Sequence, residues 1–327
     1  TMFVPETFAV ALLMMLTSMI CWGSWANAFK LTRGYRFELF YWDYAFGIVL
    51  ASLVLAFTLG SFGSSGDSFL ANLRAADTAN IVYAVAAGVI FNVANLLLVA
   101  GIEMAGLAIA FPIAIGVALI EGVALSYALQ PTGSGWLLAL GVLLAVVAVV
   151  FDGKAYAGLE GSGRSTSRRS IGICLVSGVL MGLFAPLVTR ALTTGTPLGP
   201  YTVAVCFTLG ALVCCVPVNT YFMRRPLAGL PVTYADYAAA PWREHALGLL
   251  GGVVWGIGGV FNFVAASMVG VAIAYAIGQA APMVAAAWGV VVWREFRGAP
   301  RQSALALAAM FVCYLLAITV IARAYGA

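Results

Sequence analysis

Ten stretches of about 20 largely apolar residues run through this chain of 327 residues, and each is long enough to cross the hydrocarbon core of a bilayer as a helix. Their approximate limits are 7 to 29, 40 to 62, 78 to 101, 105 to 127, 134 to 153, 170 to 193, 199 to 222, 246 to 268, 271 to 293 and 302 to 323. Lipid offers no partner to a free backbone N–H or C=O. Because these runs are apolar on every side instead of alternating, they must be helices and not barrel strands. Composition agrees: 63% of the residues are hydrophobic and 9% charged, where a soluble domain averages about 25% charged. The expected fold is an all-α integral membrane protein with ten transmembrane helices. The opening TMFVPETFAV has no basic n-region, and the run that follows lacks a small-residue cleavage site, so it reads as a span and not as a removed signal peptide.

Charge then sets orientation. Lys30, Arg33 and Arg36 lie between spans 1 and 2, and Lys154, Arg164, Arg168 and Arg169 between spans 5 and 6. Arg224, Arg225 and Arg243 lie between spans 7 and 8, and Arg294, Arg297 and Arg301 between spans 9 and 10. Of the 16 basic residues only Arg74, Arg190 and Arg323 fall elsewhere. By the positive-inside rule those four loops face the cytoplasm and both termini lie outside, in a bacterial-type cytoplasmic (inner) membrane or a plasma membrane. The net charge of +4 therefore has a topological meaning, and no nucleic-acid partner is implied. The six cysteines sit in apolar runs with no metal-ligand spacing and read as reduced packing residues.

The sequence also repeats itself. GLAIAFPI from Gly106 opens span 4, and GVAIAYAI from Gly270 opens span 9, 164 residues later. More weakly, WGSWA at Trp22 aligns with MGLFA at Met181. Five spans per half is an odd number, so the halves run in opposite directions across the membrane, as in the inverted repeats of alternating-access transporters. Residues 1-157 form the first five-helix repeat, 158-169 a cytoplasmic Gly/Ser/Arg linker and 170-327 the second repeat. The linker holds G-x-x-x-x-G-R-S from Gly158 to Ser165. A phosphate-cradling loop needs Lys where Arg164 stands, and a strand before it. A solvated linker is the better reading, and no ATP use or other cofactor is expected.

Polar residues inside the spans mark where a solute would bind. Trp22 and Trp25 share a face of span 1, near Ser24 and Asn27. An interfacial aromatic belt accounts equally for Trp25 and Asn27, whereas Trp22 lies deeper, where aromatic walls line cavities for flat solutes. Asn92 and Asn95 in span 3, and Trp255 and Asn262 in span 8, are either interhelical clamps or ligand contacts. Span 9 reads AYAIGQAAPMV, with Tyr275 and Gln279 on a helix interrupted at Gly278 and Pro282, and Pro112 stands near the start of span 4. Helices broken at matching places in two halves point to a transporter's binding site, although packing kinks would look the same.

Two acids are candidates for proton coupling. Glu121 is about 15 residues into span 4 with no basic neighbour; it carries a proton, or it is a structural acid bonded across helices. Asp43 opens span 2, where it caps the helix or pairs with Lys30 or Arg36. Glu103 and Asp152 stand near span ends, where hydration removes the need for a special role. The one histidine, His245, reads as part of a charged loop beside Arg243 and Glu244. A lone histidine assembles neither a metal site nor a nucleophile-base pair, so no catalytic or metal-binding residue is expected and the chain is not read as an enzyme.

These residues resemble the ureide permease family of the drug/metabolite transporter superfamily, related to bacterial glucose/ribose and L-rhamnose transporters. The likeness is carried by WGSWANAFKLTRGYRFELFYWDY from Trp22, AFTLGSFG from Ala56, Asn95-Leu96, Gly106-Leu107, Gln279 to Pro282 and WGVVVWREFRG from Trp288. It implies a ten-helix inverted-repeat fold and secondary, proton-coupled uptake of small polar solutes such as ureides and nucleobases, or sugars in the sister families. It also carries over Asp43, Asn95 and Gln279 as positions of interest. The expected function is a proton-coupled symporter for a small, hydrogen-bond-rich metabolite. Trp22, Trp25, Asn92, Asn95, Trp255, Asn262, Tyr275 and Gln279 would bind the solute at midplane, and Glu121 or Asp43 would titrate. A sugar-proton symporter and a drug or metabolite exporter are the alternatives. The partners expected are the solute, protons and lipid, for a monomer or homodimer powered by the proton gradient.

Overall fold

The structure, a computed structural model, describes residues 1–159, 167–226 and 229–326. Most of the 158-169 linker, including most of its Gly158-to-Ser165 motif, lies outside the described residues. The described residues contain ten helical spans long and apolar enough to cross a membrane, and no strand. Twelve helices make up the spans, and two short ones lie between them, among the described residues. The first span is α1 (Phe8–Ser24) and α2 (Ala26–Lys30), separated at Trp25, and the second is α3 (Phe37–Phe57). After the short α4 (Phe69–Ala75) come α5 (Thr78–Ala105), α6 (Leu107–Leu129), α7 (Gly135–Ala157), α8 (Arg168–Thr193) and α9 (Pro200–Arg224). The short α10 (Tyr234–Ala239) leads to α11 (Trp242–Val269), then α12 (Val271–Gly278), α13 (Ala281–Val291) and α14 (Arg301–Ala324).

Some elements recur at a fixed spacing along the chain. Helices α5 and α11 are both 28 residues long, and their first residues, 78 and 242, stand 164 apart. Each is followed by a glycine in the left-handed region that caps the next helix: Gly106 at φ 80°, ψ 165° before α6, and Gly270 at φ 83°, ψ 153° before α12. A side chain is strained at such angles, so glycine is required at both sharp helix-to-helix turns. The short helices α4 and α10, which the hydropathy pattern leaves within loops, recur at the same spacing.

Span 9 is broken between α12 and α13, as its glycine and proline foretell, with Pro282 at the second position of α13 where its missing N–H breaks no intrahelical bond. The expected counterpart in span 4 is absent: α6 runs unbroken through Pro112. A proline six residues into a helix removes one ladder bond, and in a spanning helix the surrounding helices compensate.

The chain divides into two compact units. Unit 1 comprises residues 1–93 and 187–268, and unit 2 residues 94–186 and 269–327, so each draws helices from both sequence repeats. Within unit 1 α3 packs on α9, and within unit 2 α6 packs on α12 and α7 on α14. In unit 1, glycines along one stripe of α11 bring its backbone against α3. A Cβ on Gly248 would lie 2.5 Å from Asp43 Cβ, one on Gly252 2.1 Å from Tyr44 O, and one on Gly256 2.8 Å from Ala51 Cβ. Small residues four apart allow this approach, which is how helices associate where lipid gives no hydrophobic drive.

Candidate functional site

The glycine stripe of α11 puts two polar regions of unit 1 in place. The first is an aromatic cluster. Trp22 of α1 stacks on Trp255 of α11 with ring centroids 5.5 Å apart, and Phe91 lies 4.6 Å and Phe207 6.2 Å from the same indole. Tyr44 meets Trp255 edge-on at 6.5 Å and packs on Trp25 at 4.8 Å. Tyr41, 5.2 Å from Tyr44, donates its hydroxyl hydrogen to Asn92 Oδ1 at 3.0 Å. Gly258 admits α1 so closely that a Cβ there would lie 2.9 Å from the Trp22 ring.

Within this cluster, hydrogen-bonding atoms are buried without partners. Among the described residues Ser18 Oγ, Trp22 Nε1 and Tyr44 OH have none, and Asn92 Nδ2 has only the Cys214 sulfur beside it, a weak acceptor. Each such group costs about 1–3 kcal/mol relative to a satisfied one. Proteins retain orphans of this kind where function requires them. Asn27 Nδ2 donates locally to Ser24 O at 2.8 Å.

The second region surrounds Asp43, where α3 and α11 begin. Asp43 is 6% exposed and pairs with neither Lys30 nor Arg36; Arg36 is taken by Glu38 at 2.7 Å. Its Oδ1 accepts the Tyr237 hydroxyl at 2.6 Å, and its Oδ2 accepts that of Tyr35 at 2.9 Å. His245 Nδ1 lies 3.1 Å from Oδ1 and 3.0 Å from Oδ2. His245 is thus not a loop residue but part of the first turn of α11, one turn before Gly248 on the face that meets α3. Burial first, and then the hydrogen bond to Asp43, push the Tyr35 and Tyr237 phenols above their usual range.

Unit 2 holds a separate polar group. Tyr275 of α12 is fully buried, its hydroxyl 3.4 Å from Ala118 O and 3.3 Å from Met181 O, with Phe184 edge-on at 5.4 Å. Its ring occupies the space left by Gly122, and Gln279 bonds to it from the break between α12 and α13. Glu121 lies against Gly182 and acts on Tyr275 electrostatically. At the far end of α7, Asp152 is 1% exposed with Oδ1 unpartnered. Asp152 is thus buried where a solvent-facing acid was expected, whereas Glu103 is exposed as expected.

Of the residues singled out in the sequence, Trp22, Trp25, Asn92 and Trp255 come together in unit 1, and Tyr275, Gln279 and Glu121 in unit 2. Asn262 is buried two turns beyond Trp255 on α11, and Asn95 is buried in the unit 2 part of α5. Tyr35, Tyr41, Tyr44, Tyr237 and His245 went unrecognised. The glycines at 248, 252 and 256 were the available signal, since they announce that whatever precedes them on α11 meets another helix closely.

Ten spanning helices with buried polar clusters define a multi-pass membrane protein of the transporter class. The sequence model of the family described as Ureide permease matches residues 40–160 and 162–324, and the chain belongs to that family. Ureide permease 1 of Arabidopsis thaliana is 24% identical over 389 aligned residues, covering 99% of each chain. Ureide permease 2 of the same plant is 24% identical over 396, also covering 99% of each. A solved crystal structure with 15% identity has the same fold, with a TM-score of 0.63 over 96% of this chain and 98% of that one.

Proposed function

We propose that this protein is a proton-driven symporter that takes up a small, flat, uncharged metabolite of the ureide or nucleobase type. The observation that carries the reading is the set of partnerless polar atoms beside stacked indoles in unit 1. Trp22 Nε1 can only donate, and Asn92 Nδ2, which has only the weak sulfur acceptor of Cys214, is also a donor. Both call for carbonyl oxygens, while Ser18 and Tyr44 can donate or accept. A ureide or pyrimidine-dione supplies carbonyls alternating with N–H groups around a planar body, and such a body stacks on an aromatic face. The printed names of the plant relatives agree with that class. On this reading the two five-span repeats run in opposite directions, the basic loops face the cytoplasm of a plasma or bacterial cytoplasmic membrane, and both termini lie outside. Gln279 and Tyr275, at the broken helix of unit 2, contribute to solute handling, and Glu121 or the Asp43 cluster supplies coupling.

The test is a thermal-shift screen of the purified protein against allantoin, uracil and rhamnose. A ligand at about 100 times its Kd stabilises the folded state by about 2.7 kcal/mol, and allantoin or uracil should produce that shift. Trp22→Phe, which keeps an aromatic ring but removes the donor, should lower affinity by about five- to tenfold. A shift from rhamnose alone would transfer the site to sugars, and insensitivity of a ligand-induced shift to Trp22→Phe would detach the cluster from binding.

A further inference from the structure

Three carboxylates crowd the end of unit 1 where α3 and α11 begin, and they are satisfied in different ways. Glu38 is clasped by the Arg36 guanidinium, with Nε 3.1 Å from Oε2 and Nη2 2.7 Å from Oε1. Glu244 takes Arg243 Nη1 on Oε1 at 2.9 Å and the Arg33 backbone N–H on Oε2 at 3.2 Å. Each has a permanent cation. Asp43 has none: among the described residues its partners are two phenols and the His245 imidazole. Its only possible counter-charge comes and goes with one proton.

The geometry fixes where that proton goes. Nδ1 sits almost equidistant from the two carboxylate oxygens, so its hydrogen is directed at Asp43. The ring is held edge-on by Tyr237 at 4.7 Å and Tyr35 at 5.8 Å. Nε2 is left as the exchangeable position, on a side chain that is 19% exposed while that of Asp43 is 8% exposed. Orientation of one ring nitrogen by a carboxylate so that the other handles protons is a recurrent histidine arrangement. Four segments converge here: the turn before α3 with Arg33, Tyr35 and Arg36; α3 with Glu38 and Asp43; α10 with Tyr237; and α11 with Arg243, Glu244 and His245.

We infer that His245 is the residue that takes up and releases the coupled proton at this end of unit 1, with Asp43 as the fixed counterion that positions it. The inference rests on the proton-driven reading above. In uptake, the Nε2 lone pair forms an N–H bond as an O–H bond of hydronium breaks, and water departs. The cluster passes from a neutral imidazole beside a carboxylate to an imidazolium–carboxylate pair. Release reverses the step. The net charge of the pair changes by one, while Tyr35 and Tyr237 keep their hydrogen bonds to Asp43 throughout.

The chain contains one histidine, so labelling with ¹⁵N-histidine reports this ring alone in the full-length protein in nanodiscs. The expected spectra show Nδ1 carrying the hydrogen directed at Asp43 in the neutral ring, with Nε2 as the position that gains a proton on acidification. A ring whose Nδ1 is bare in its neutral form, or whose Nε2 does not titrate, overturns the assignment. The second arm uses proteoliposomes with an imposed pH gradient and labelled allantoin or uracil as probe. The wild type should accumulate solute, and His245→Gln should lower the ratio of gradient-driven accumulation to downhill exchange by about tenfold or more and flatten its pH profile. Wild-type protein that exchanges solute but ignores the gradient overturns the symport reading. Gradient-driven accumulation that His245→Gln leaves intact overturns the role of His245 alone.

Discussion

Units 1 and 2 each bury an aspartate near a helix end, and treat it in opposite ways. Asp43 in unit 1 receives three donors from three different segments. Asp152 in unit 2 is more deeply buried, at 1% against 6% exposed, yet its Oδ1 has no partner. The difference lies in what surrounds each. The glycine stripe of α11 lets a polar first turn reach Asp43, whereas Asp152 looks out from α7 onto α14, to which α7 is closely packed and whose Tyr314 OH is also unpartnered. Donors from three segments therefore hold the Asp43 carboxylate, whereas among the described residues none reaches Asp152 Oδ1.

The sharpest way to break the comparison is to remove the two charges in turn. Asp43→Asn strips the anionic acceptor from His245, Tyr35 and Tyr237. Losing one partner of a buried pair costs about 3–5 kcal/mol, a fall in Tm on the order of 10 °C for a chain of this size. Gly248→Ala should cost about 1–3 kcal/mol by overpacking, because its new Cβ meets the Asp43 side chain and pushes the carboxylate away from His245. Asp152→Asn has the same shape without the charge, and by the same logic should leave stability unchanged or raise it by about 1 kcal/mol. Melting curves of the three variants in one detergent decide the matter. A fall for Asp152→Asn comparable with that for Asp43→Asn would mean that unit 2 has a charge-holding network of its own.

What could be read from the sequence follows from what each signal depends on. Span limits depend on local hydropathy, and the end of α5 at Ala105 and the start of α12 at Val271 fall within a few residues of expectation. The element repeat was legible because the Gly106 and Gly270 turns demand the same residue. The Trp22, Asn92 and Trp255 set emerged because polar atoms in apolar runs need partners. The Asp43 cluster stayed hidden because its members are 8, 194 and 202 residues away in sequence and two of its phenols lie outside the spans. No periodicity connects them. His245 was set aside because a histidine flanked by Arg243 and Glu244 has the composition of a loop. Only the backbone contact imposed by Gly248 and Gly252 shows that this charged stretch is a helix start facing a buried acid.

The smallest expected effect compares the repeat-equivalent short helices α4 and α10. Helix α10 is held from both sides of the pH scale. At its start Thr233 and Asp236 form a reciprocal capping box, and the hydrogen bonds from Thr233 hold the Asp236 carboxyl below its ordinary value. A lowered folded-state value gives stability that is present above the unfolded carboxylate range, near pH 4, and is lost as pH falls through it. Tyr237 is raised, so its contribution is complete below the ordinary phenol value, near pH 10, and is lost as pH rises. Helix α4 is capped by Ser68 and has no acid in its first turn. Hydrogen exchange, corrected for intrinsic rates, should show α10 losing protection toward both extremes while α4 stays flat. Tyr237→Phe should abolish the alkaline limb and leave the acid limb, because the capping box does not involve the phenol. If α10 kept its protection above about pH 10 in the wild type, the Tyr237–Asp43 bond would not be what tethers it to α3.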